Sequence, residues 1–564
     1  MVDQNRLDSD IDVLRAHADT WLHMDLASRI TYLEDVFDGT FAVADDQVDA
    51  AVKAKGVKPG SAMAAEDYLA GPVVQGRTIR LMLDSLKQIR DQGQVQIKAK
   101  HIRDVGPDQI AVQVIPHDVA DTLLLTGFEA EIWQAPGINR NNISDNIAEF
   151  YRQDHSDQPG RVALVLGAGN VASIGPLDVI HKLFVEGQVC LLKMNPVNDY
   201  LGPFIERAFK GLIDSGFMRL AYGGGDVGAY LCQHENIDEI HITGSNFTHD
   251  AIVFGTGEDG QRRKAENQPR NHKRITSELG NVSPVIIVPG SWNQAELRFH
   301  AENIATQMTN NGGFNCNAAK VLIFDENWNQ RTEFMDMLKS VLAKLPSRPA
   351  YYPGAEARYD KFVDGHEQAI PIGERTDSSL PWTLIPDCSS DDPNEICFVE
   401  ESFCGITAQT TLPGDDAADF LKNAVDFCNE RLWGTLNACI IVHPATEKRI
   451  EADLNTAIKD LRYGSVAINH WPGLCYGMGA TAWGAYPGHT LDDIQSGIGF
   501  VHNTKLFDRP EKTVLRGPFK VFPKPPWFVT HKRSLAVARR MVSMEKKPSL
   551  AKVPGIAWNA IKGS

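Results

Sequence analysis

The sequence predicts an α/β fold in which helices cover both faces of a parallel sheet. Residues 161–169 (RVALVLGAG) form a continuous apolar run that ends at glycine, as a buried parallel strand does. An amphipathic segment at 174–187 follows, and a second apolar run occupies 188–196. This alternation of strand and helix signals continues to about residue 505, which predicts the crossover connections of a parallel sheet.

The first hundred residues predict helices instead. Apolar residues recur at helical spacing in IDVLRAHADTWL and IRLMLDSLKQI, and the small-residue-rich stretch between them predicts a loop with short turns. After residue 100, the alternation in IAVQVIP and EAEIWQAPGI predicts strands near the edge of a sheet. The polar stretch 256–274 predicts a mobile surface excursion.

Composition removes several classes of protein. The chain has 564 residues, 43% of them hydrophobic and 23% charged, which excludes collagen-like and wholly disordered chains. Its net charge of −16 argues against a nucleic-acid binder that depends on phosphate neutralisation. Because the acidic N-terminus has no apolar leader and no run of about 18 apolar residues occurs, we expect neither a secretory signal nor a transmembrane helix.

The nine cysteines predict a reducing compartment. Their number is odd, and none lies in a CxxC pair or in the Cys/His spacing of a zinc site. Unpaired thiols persist in the cytoplasm, where disulfides are rare. We therefore expect a cytoplasmic protein without a bound metal.

The C-terminal region differs from the rest of the chain in charge. From Lys505 to Ser564 there are 14 Lys and Arg against three acids, so this region carries +11 and the remainder −27. The segment 530–544 would form a helix with a basic and an apolar face, and the Pro-rich FPKPPWF before it predicts an extended strap. Two interpretations stay open. The tail docks onto the acidic body or a neighbouring subunit, or it contacts an anionic membrane surface.

The glycine-rich turn Gly167-Ala168-Gly169-Asn170-Val171-Ala172 follows a predicted buried strand. It imitates the GxGxxA fingerprint of a dinucleotide site, in which glycines let the backbone approach a pyrophosphate. That fingerprint requires an acid about 20 residues further on. Lys193-Met194-Asn195 stands there instead, which weakens the ordinary fingerprint interpretation.

Cys316 and Glu278 are candidates for covalent and general-base chemistry. Cys316 follows a helix that stops at Gly312-Gly313, where exposed N–H groups could activate a thiol and stabilise an oxyanion. The alternative is a small buried cysteine, but the amides Asn315 and Asn317 on both sides favour a nucleophile. Glu278 ends a predicted strand beside a glycine, so it is either a general base in a cleft or a solvated loop acid.

Six segments together resemble the NAD(P)-dependent aldehyde dehydrogenase superfamily, from about residue 160 to 500. In chain order these segments are GAGNVASIGPL, LLKMNP, IHITGS, RITSELGNVSP, GGFNCNAAKVL and VEESFCG. The resemblance implies Cys316 as nucleophile, Glu278 as general base and Asn170 as oxyanion donor. The cofactor-binding residues that it implies are Lys193, Gly244, Ser245, Glu401 and Phe403, with Gly169 and Gly224 in the glycine-rich turns.

The same resemblance implies a division of the chain. We expect a Rossmann-type cofactor domain with the N-terminal helical region at 1–137 and 160–279, and an α/β catalytic domain at 280–494. A small oligomerisation element is expected at 138–159 with 495–520, and the basic extension at 521–564. The expected assembly is a homodimer or a homotetramer.

The implied function is oxidation of an aldehyde to a carboxylic acid through a thiohemiacetal and a thioester at Cys316, with Glu278 activating the hydrolytic water. A CoA-acylating dehydrogenase or acyl-CoA reductase of the same fold is the alternative, and a non-catalytic scaffold bound through the basic tail is a remote one. The cofactor is NAD or NADP, because Pro196 replaces the carboxylate that often binds the adenine ribose.

A hydrophobic aldehyde is the expected substrate. The turn from Val171 to Gly175 has small side chains, which suits a wide apolar channel. Aromatic residues could instead come from the stretch HWPGLCYGMGATAWGAYPG, which contains Trp471, Tyr476, Trp483 and Tyr486.

Overall fold

The computed structural model describes residues 4–564, in which two large sheets are surrounded by helices. The strands are β1 (Ile102–Gly106), β2 (Gln109–Ile115), β3 (Glu129–Gln134), β4 (Val162–Leu166), β5 (Val189–Lys193), β6 (Met218–Ala221), β7 (Glu239–Gly244), β8 (Arg274–Leu279), β9 (Pro284–Ile287), β10 (Val321–Asp325), β11 (Arg348–Pro349), β12 (Ile370–Ile372), β13 (Ser379–Leu380), β14 (Trp382–Ile385), β15 (Ile406–Leu412), β16 (Asn437–Ile441), β17 (Ser465–Ile468), β18 (Trp483–Gly484), β19 (Gly497–Ile498), β20 (Phe500–Val501) and β21 (Pro510–Arg516).

The helices lie between these strands and at both ends of the chain. They are α1 (Gln4–Leu22), α2 (Leu26–Ala42), α3 (Ala44–Ala54), α4 (Ala64–Tyr68), α5 (Val74–Gln92), α6 (Val119–Leu124), α7 (Glu149–Arg152), α8 (Ile174–Phe184), α9 (Gly202–Ala208), α10 (Lys210–Asp214), α11 (Gly225–Gln233), α12 (Asn246–Val253), α13 (Gly257–Ala265), α14 (Gln294–Thr309), α15 (Arg331–Leu342), α16 (Ala355–Val363), α17 (Ile396–Val399), α18 (Ala417–Arg431), α19 (Pro444–Glu447), α20 (Glu451–Asp460), α21 (Gly473–Gly477), α22 (Ser534–Lys546) and α23 (Val553–Gly563).

The predicted parallel α/β sheet is confirmed. One sheet has six strands in the order β19-β8-β7-β4-β5-β6, and all neighbours except β19 are parallel. Every residue of β4 and β5 is buried, as the continuous apolar runs required. Helices α1 and α8 pack against β4 and β5, and Trp21 of α1 donates a hydrogen bond to the Leu183 carbonyl of α8.

The second sheet has eleven strands in the order β1-β2-β3-β21-β17-β16-β9-β10-β15-β14-β12. Its centre is parallel, and β1, β2, β3 and β12 are antiparallel to their neighbours. Strands β8 and β9 are only four residues apart in the chain, yet they belong to different sheets. The chain therefore crosses from one sheet to the other at residues 280–283, beside the predicted base.

The strands between residues 102 and 134 differ from the expected division of the chain. We expected them within the cofactor domain (1–137), but β3 pairs with β21 and the meander β1-β2-β3 extends the eleven-stranded sheet. The pairing places Ile132 opposite Thr513. Local alternation predicted these strands correctly, but their partner lies hundreds of residues further along the chain.

Two predicted loops contain helices. The small-residue-rich stretch predicted as a loop, residues 50–72, contains the end of α3 and all of α4, because Val52, Ala64 and Ala65 pack in one apolar cluster with Ala538 of α22. The polar excursion at 256–274 contains α13, whose charged residues pair along the helix, as in Arg262 with Glu266. Among residues 4–564, no helix is both long enough and apolar enough to cross a bilayer.

The C-terminal extension packs onto the body of the protein. Helix α22 contacts α4 and α5, and α23 contacts α6. Ionic contacts connect the extension to the body at two places: the acid Glu545 lies 2.7 Å from Arg80 and 3.2 Å from Arg77, and Lys524 lies 2.6 Å from Glu302. Of the two interpretations of this segment, the structure shows docking onto the body.

Candidate active site

Cys316 and Glu278 lie where two cavities meet. One cavity has a volume of about 1180 Å³ and extends along the carboxyl ends of the six-stranded sheet. The other has a volume of about 400 Å³ and runs toward the C-terminal extension. Asn170, Glu278 and Cys316 line both cavities, so the structure brings the three predicted catalytic residues together.

Each of these residues sits at the end of a rigid element. Glu278 belongs to β8, and Asn170 follows β4 in the neighbouring part of the same sheet. Cys316 follows a short turn at Asn310–Gly313 that ends α14. In this turn Asn311, Gly312 and Gly313 all have positive φ values of 53°, 72° and 81°. A Cβ at Gly313 would lie 2.7 Å from the carbonyl carbon of Cys404, so the turn can pass there only with glycine.

Asn311 is the centre of a hydrogen-bond network that the sequence analysis missed. Its side-chain amide donates to the Asn170 carbonyl (3.0 Å), and its side-chain oxygen accepts from Lys55 (3.0 Å) and Tyr351 (3.0 Å). The Asn170 side chain itself donates to the carbonyl of Phe314 (2.9 Å). The network fixes Asn170, the predicted oxyanion donor, relative to the cysteine loop. Its only signal in the sequence was the run of amides before Cys316.

The backbone of Cys316 is also fixed from outside its own loop. The Ser283 hydroxyl and the Asn437 side-chain amide both donate to the Cys316 carbonyl, each at 3.2 Å. Ser283 lies at the crossing between the two sheets, and Asn437 begins β16. The nucleophile loop is therefore held by the crossing segment and by the eleven-stranded sheet.

Burial controls the protonation of the site. It raises the pKa of Glu278 to about 8, against the opposing effect of a hydrogen bond from Cys316. Burial and the nearby carboxyl groups of Glu278 and Glu401 raise the pKa of the Cys316 thiol well above its ordinary value. Burial also raises the pKa of Glu401 to about 7, and the charge of Lys320 opposes this rise. Burial thus favours the protonated forms of both Cys316 and Glu278.

Most of the predicted cofactor residues line the larger cavity. These residues are Lys193, Gly224, Gly244, Ser245, Glu401 and Phe403.

Gly169 is the exception, because it does not line this cavity. A Cβ at Gly169 would lie 2.8 Å from the Val197 Cβ and 2.8 Å from Asn195 Oδ1, so this glycine allows close packing of the turn. Ser245 is the N-cap residue of α12, and its side chain accepts the hydrogen bond of the Thr248 N–H. The N-terminus of this helix faces the cavity, which favours a bound phosphate.

The larger cavity fits a dinucleotide. Glu278 and Glu401 both line it, and the buried Oε1 atom of each has no hydrogen-bond partner among residues 4–564. Glycines at 224, 225 and 244 leave part of the wall without side chains. Lys193 and Arg270 supply positive charge to the same cavity. These residues would hold the ribose and phosphate groups.

The smaller cavity is a channel with mostly apolar walls, and the tail supplies much of its lining. Trp527 and Phe528 of the strap and Val537, Met541 and Ile556 of the last two helices line it.

Two of the four candidate aromatic residues also line this channel. They are Trp471 and Tyr476. The other two, Trp483 and Tyr486, line a third cavity of about 710 Å³ whose wall also includes Glu278. The sequence pattern predicted the aromatic stretch, but it could not divide these residues between two cavities.

The comparisons with known proteins agree with this geometry. Residues 170–355, about a third of the chain, match the model of the aldehyde dehydrogenase family. No curated protein sequence matches the chain. The matched segment contains Asn170, Lys193, Glu278 and Cys316.

Solved structures extend the likeness to the whole fold. An aldehyde dehydrogenase 21 from Physcomitrella patens, in complex with the product succinate, is 15% identical with a TM-score of 0.58, over 91% of this chain and 90% of that one. An NAD-dependent aldehyde dehydrogenase from Sinorhizobium meliloti is 16% identical with a TM-score of 0.59, over 91% and 86%. An NADP-dependent glyceraldehyde-3-phosphate dehydrogenase from Bacillus halodurans, complexed with NADP, is 16% identical with a TM-score of 0.58, over 91% of both chains.

The sequence match and the fold likeness cover different lengths of the chain. The sequence match contains Cys316 and Glu278, whereas the fold likeness covers nine-tenths of the chain. Residues 170–355 therefore resemble the aldehyde dehydrogenase family in sequence, and the chain as a whole is similar in fold to solved aldehyde dehydrogenases.

Proposed function

We propose that the protein oxidises a hydrophobic aldehyde to the carboxylic acid, with NAD or NADP as the hydride acceptor. The observation that carries this proposal is the position of Cys316 and Glu278 at the junction of an apolar channel and a dinucleotide-sized cavity. An aldehyde carbonyl that arrives through the channel meets the thiol where the cofactor cavity begins. The channel and cavity thus bring the two reactants to one sulfur atom.

Cys316 supplies the nucleophile. Because the pKa of the Cys316 thiol is raised, the thiol must lose its proton before the sulfur attacks. The ionised form of Glu278, which accepts a hydrogen bond from Cys316, takes this proton. The sulfur adds to the aldehyde carbon, and the carbonyl oxygen takes the negative charge. One hydrogen of the Asn170 amide goes to Phe314, which leaves the second for this oxyanion. Such a donor contributes about 10²–10³ in rate.

The bound cofactor supplies the hydride acceptor for the step that converts the thiohemiacetal into a thioester. Glu278 then takes a proton from water, the water oxygen attacks the thioester carbon, and the bond to sulfur breaks as the acid leaves. Glu278 thus accepts a proton in two steps, first from the thiol and later from water. It must release the thiol proton before it can accept the second one. The third cavity, which Glu278 also lines, supports such a release toward solvent.

The tail supports a hydrophobic substrate. Side chains of the strap and of the last two helices line the channel. The channel therefore extends beyond the turn at 171–175, whose small side chains first suggested it. Binding of an extended apolar chain in the channel would be stabilised by roughly 25 cal/mol for each Å² of apolar surface removed from water. Short polar aldehydes would leave most of the channel unfilled.

Reduced-cofactor absorbance with short, medium and long linear aldehydes tests this proposal, with NAD and NADP and with and without CoA. We expect kcat/KM to rise with chain length and the product to be the free acid by mass spectrometry. Turnover that requires CoA and yields an acyl-CoA would establish the CoA-acylating alternative instead. Absence of turnover with every aldehyde, despite cofactor binding, would contradict the proposed activity.

We also propose that the protein assembles as a homodimer or homotetramer. The first strand of the β1-β2-β3 meander is a free edge of the eleven-stranded sheet, with Ile102 and Val105 half-buried. A partner strand would pair with the open N–H and C=O groups of such an edge. Light scattering measures the mass directly, and a monomeric mass at micromolar concentration would contradict this proposal.

A further inference from the structure

Four side chains with metal-binding atoms converge on one buried point outside the active site. They are His366, Cys388, Glu395 and Cys397, and one ligand atom from each lies within 4.8 Å of the others. Each residue is at least nine-tenths buried, with 8%, 4%, 8% and 4% of its surface exposed. The four residues come from the loops after α16 and β14 and from the start of α17. Because these loops meet only in the folded chain, the sequence spacing did not reveal the cluster.

The hydrogen bonds of His366 leave one ring nitrogen facing an anion. Its Nδ1 lies 2.6 Å from the Phe362 carbonyl, which can only accept, so the proton belongs on Nδ1. In the neutral ring, Nε2 then presents a lone pair to the Glu395 carboxylate at 3.1 Å. Two acceptors facing each other at this distance require a proton or a cation between them. A carbonyl partner on the far nitrogen is the arrangement that orients metal-bound histidines.

The two sulfur atoms complete a tetrahedral set. Cys388 and Cys397 are free thiols in the structure, and both are buried. In a tetrahedral zinc site, sulfur and nitrogen ligands lie roughly 3.3–3.8 Å apart, so the cluster has to contract by only about 1 Å to bind an ion. Thiolate and imidazole ligands together select zinc over magnesium or calcium, which prefer oxygen.

We propose that His366, Cys388, Glu395 and Cys397 bind a structural Zn²⁺ ion. Four protein ligands leave no open position for water, which assigns the ion a structural and not a catalytic role. On binding, the two thiols release their protons to solvent and the sulfurs bind as thiolates.

The location of the ion gives it a consequence for the active site. His366 follows α16, which carries Arg358, and Cys397 lies four residues before Glu401. Arg358 and Glu401 both line the cofactor cavity, and Lys361 of α16 pairs with Glu400. Zinc would therefore tie together the two segments that form one wall of that cavity. The zinc proposal itself rests on the cluster and does not depend on the proposed function.

Metal analysis of the full-length protein, expressed with added zinc and passed through a desalting column, tests the proposal. We expect about one zinc ion per chain by plasma mass spectrometry. Cys397→Ala should lower the zinc content at least tenfold, whereas Cys428→Ala, which removes a buried thiol from α18, should leave it unchanged. Equal zinc content in both variants would overturn the assignment.

A second measurement covers variants that fail to fold. Wild-type protein reconstituted with Co²⁺ should show the thiolate-to-metal absorption of a tetrahedral site, and Zn²⁺ should displace it. Chelated protein that takes up neither ion would overturn the proposal. A thiol titration under denaturing, non-reducing conditions should find all nine cysteines free. A count of seven in the wild type would also overturn the proposal, because it would indicate a Cys388–Cys397 disulfide.

The effect on the cofactor wall has its own readout. Removing the zinc should raise the KM or Kd for the dinucleotide several-fold while Cys316 remains reactive toward a thiol reagent. If zinc is present but its removal leaves the affinity for the cofactor unchanged, the proposed effect of zinc on the cavity wall is rejected. The assignment of a structural zinc site would then still hold. Failure of the proposed aldehyde oxidation would leave the metal content unaffected, so the two proposals fail separately.

Discussion

The carboxylate of Glu545 lies 3.2 Å from the guanidinium of Arg77, and both side chains are buried. Arg77 also donates to Asp121 and to the Met478 carbonyl, so one arginine connects helix α22, helix α6 and the loop after α21. All three segments line the channel to Cys316. The tail is therefore part of the channel wall and not an appendage.

Glu545→Gln should destabilise the protein and loosen the channel. Replacing one partner of a buried ion pair leaves Arg77 with less compensation, at a cost of about 3 kcal/mol. We expect a lower Tm and a higher KM for long aldehydes, with the burst of reduced cofactor preserved. Lys546→Gln, at the exposed neighbouring position, is the matched control and should change neither. An unchanged Tm in the Glu545 variant would contradict this account of tail docking.

Cys316→Ala should abolish turnover while the dinucleotide still binds. The thiol forms the covalent intermediate, whereas the cavity wall that would hold the cofactor is made by other residues. Steady-state absorbance measures the first effect and fluorescence titration of the cofactor the second. Cys428→Ala controls for loss of a buried thiol. Dehydrogenase activity within tenfold of wild type would exclude Cys316 as the nucleophile.

Glu278→Gln should separate acylation from hydrolysis. The amide can no longer take a proton from water, so the thioester accumulates and steady turnover stops. A burst of reduced cofactor in stopped-flow experiments, if another group takes the thiol proton, would place the defect in deacylation. Loss of the burst as well would assign Glu278 to both proton transfers. Full rescue of the variant by CoA would show that a thiol, and not water, is the natural acyl acceptor.

The deacylation rate should rise with pH through an inflection near the Glu278 pKa. Burial raises this pKa to about 8, so the free base becomes available only as the pH passes that value. Stability changes in the opposite direction. The folded state holds a proton on Glu278 that the unfolded chain releases near its ordinary pKa, so unfolding free energy falls as pH rises from about 4.5 to about 8. Glu278→Gln should remove this fall, as measured by denaturant midpoints at both ends of the range.

Met541→Trp should shorten the usable channel. Met541 lies on α22 with its side chain at the channel wall, and the larger indole would fill space that the far end of a long substrate occupies. We expect kcat/KM for long aldehydes to fall at least tenfold and that for short ones to change little. Arg540→Trp, on the exposed side of the same helix, is the control. Equal losses for both chain lengths would mean that substrates enter elsewhere.

The sequence by itself determined the parallel sheet, and it predicted Cys316, Glu278 and Asn170 as the nucleophile, the base and the oxyanion donor. Buried parallel strands need continuous apolar runs, and the chemistry needs a cysteine, a carboxylate and an amide in short segments. These signals are local, so they can be read from neighbouring residues. The prediction for Gly169 came from the same local pattern, but the structure gives this residue a packing role.

Only the tertiary structure decided which distant segments share a surface. The strands at 102–134 joined the eleven-stranded sheet through β21, and the tail became a wall of the channel through Glu545, a residue whose charge is opposite to that of its segment. The convergence of His366 with Cys388 and Cys397 likewise depends on three loops meeting in the fold. Long-range pairing of this kind is set by packing energies summed over the whole chain, and no short window of sequence contains them.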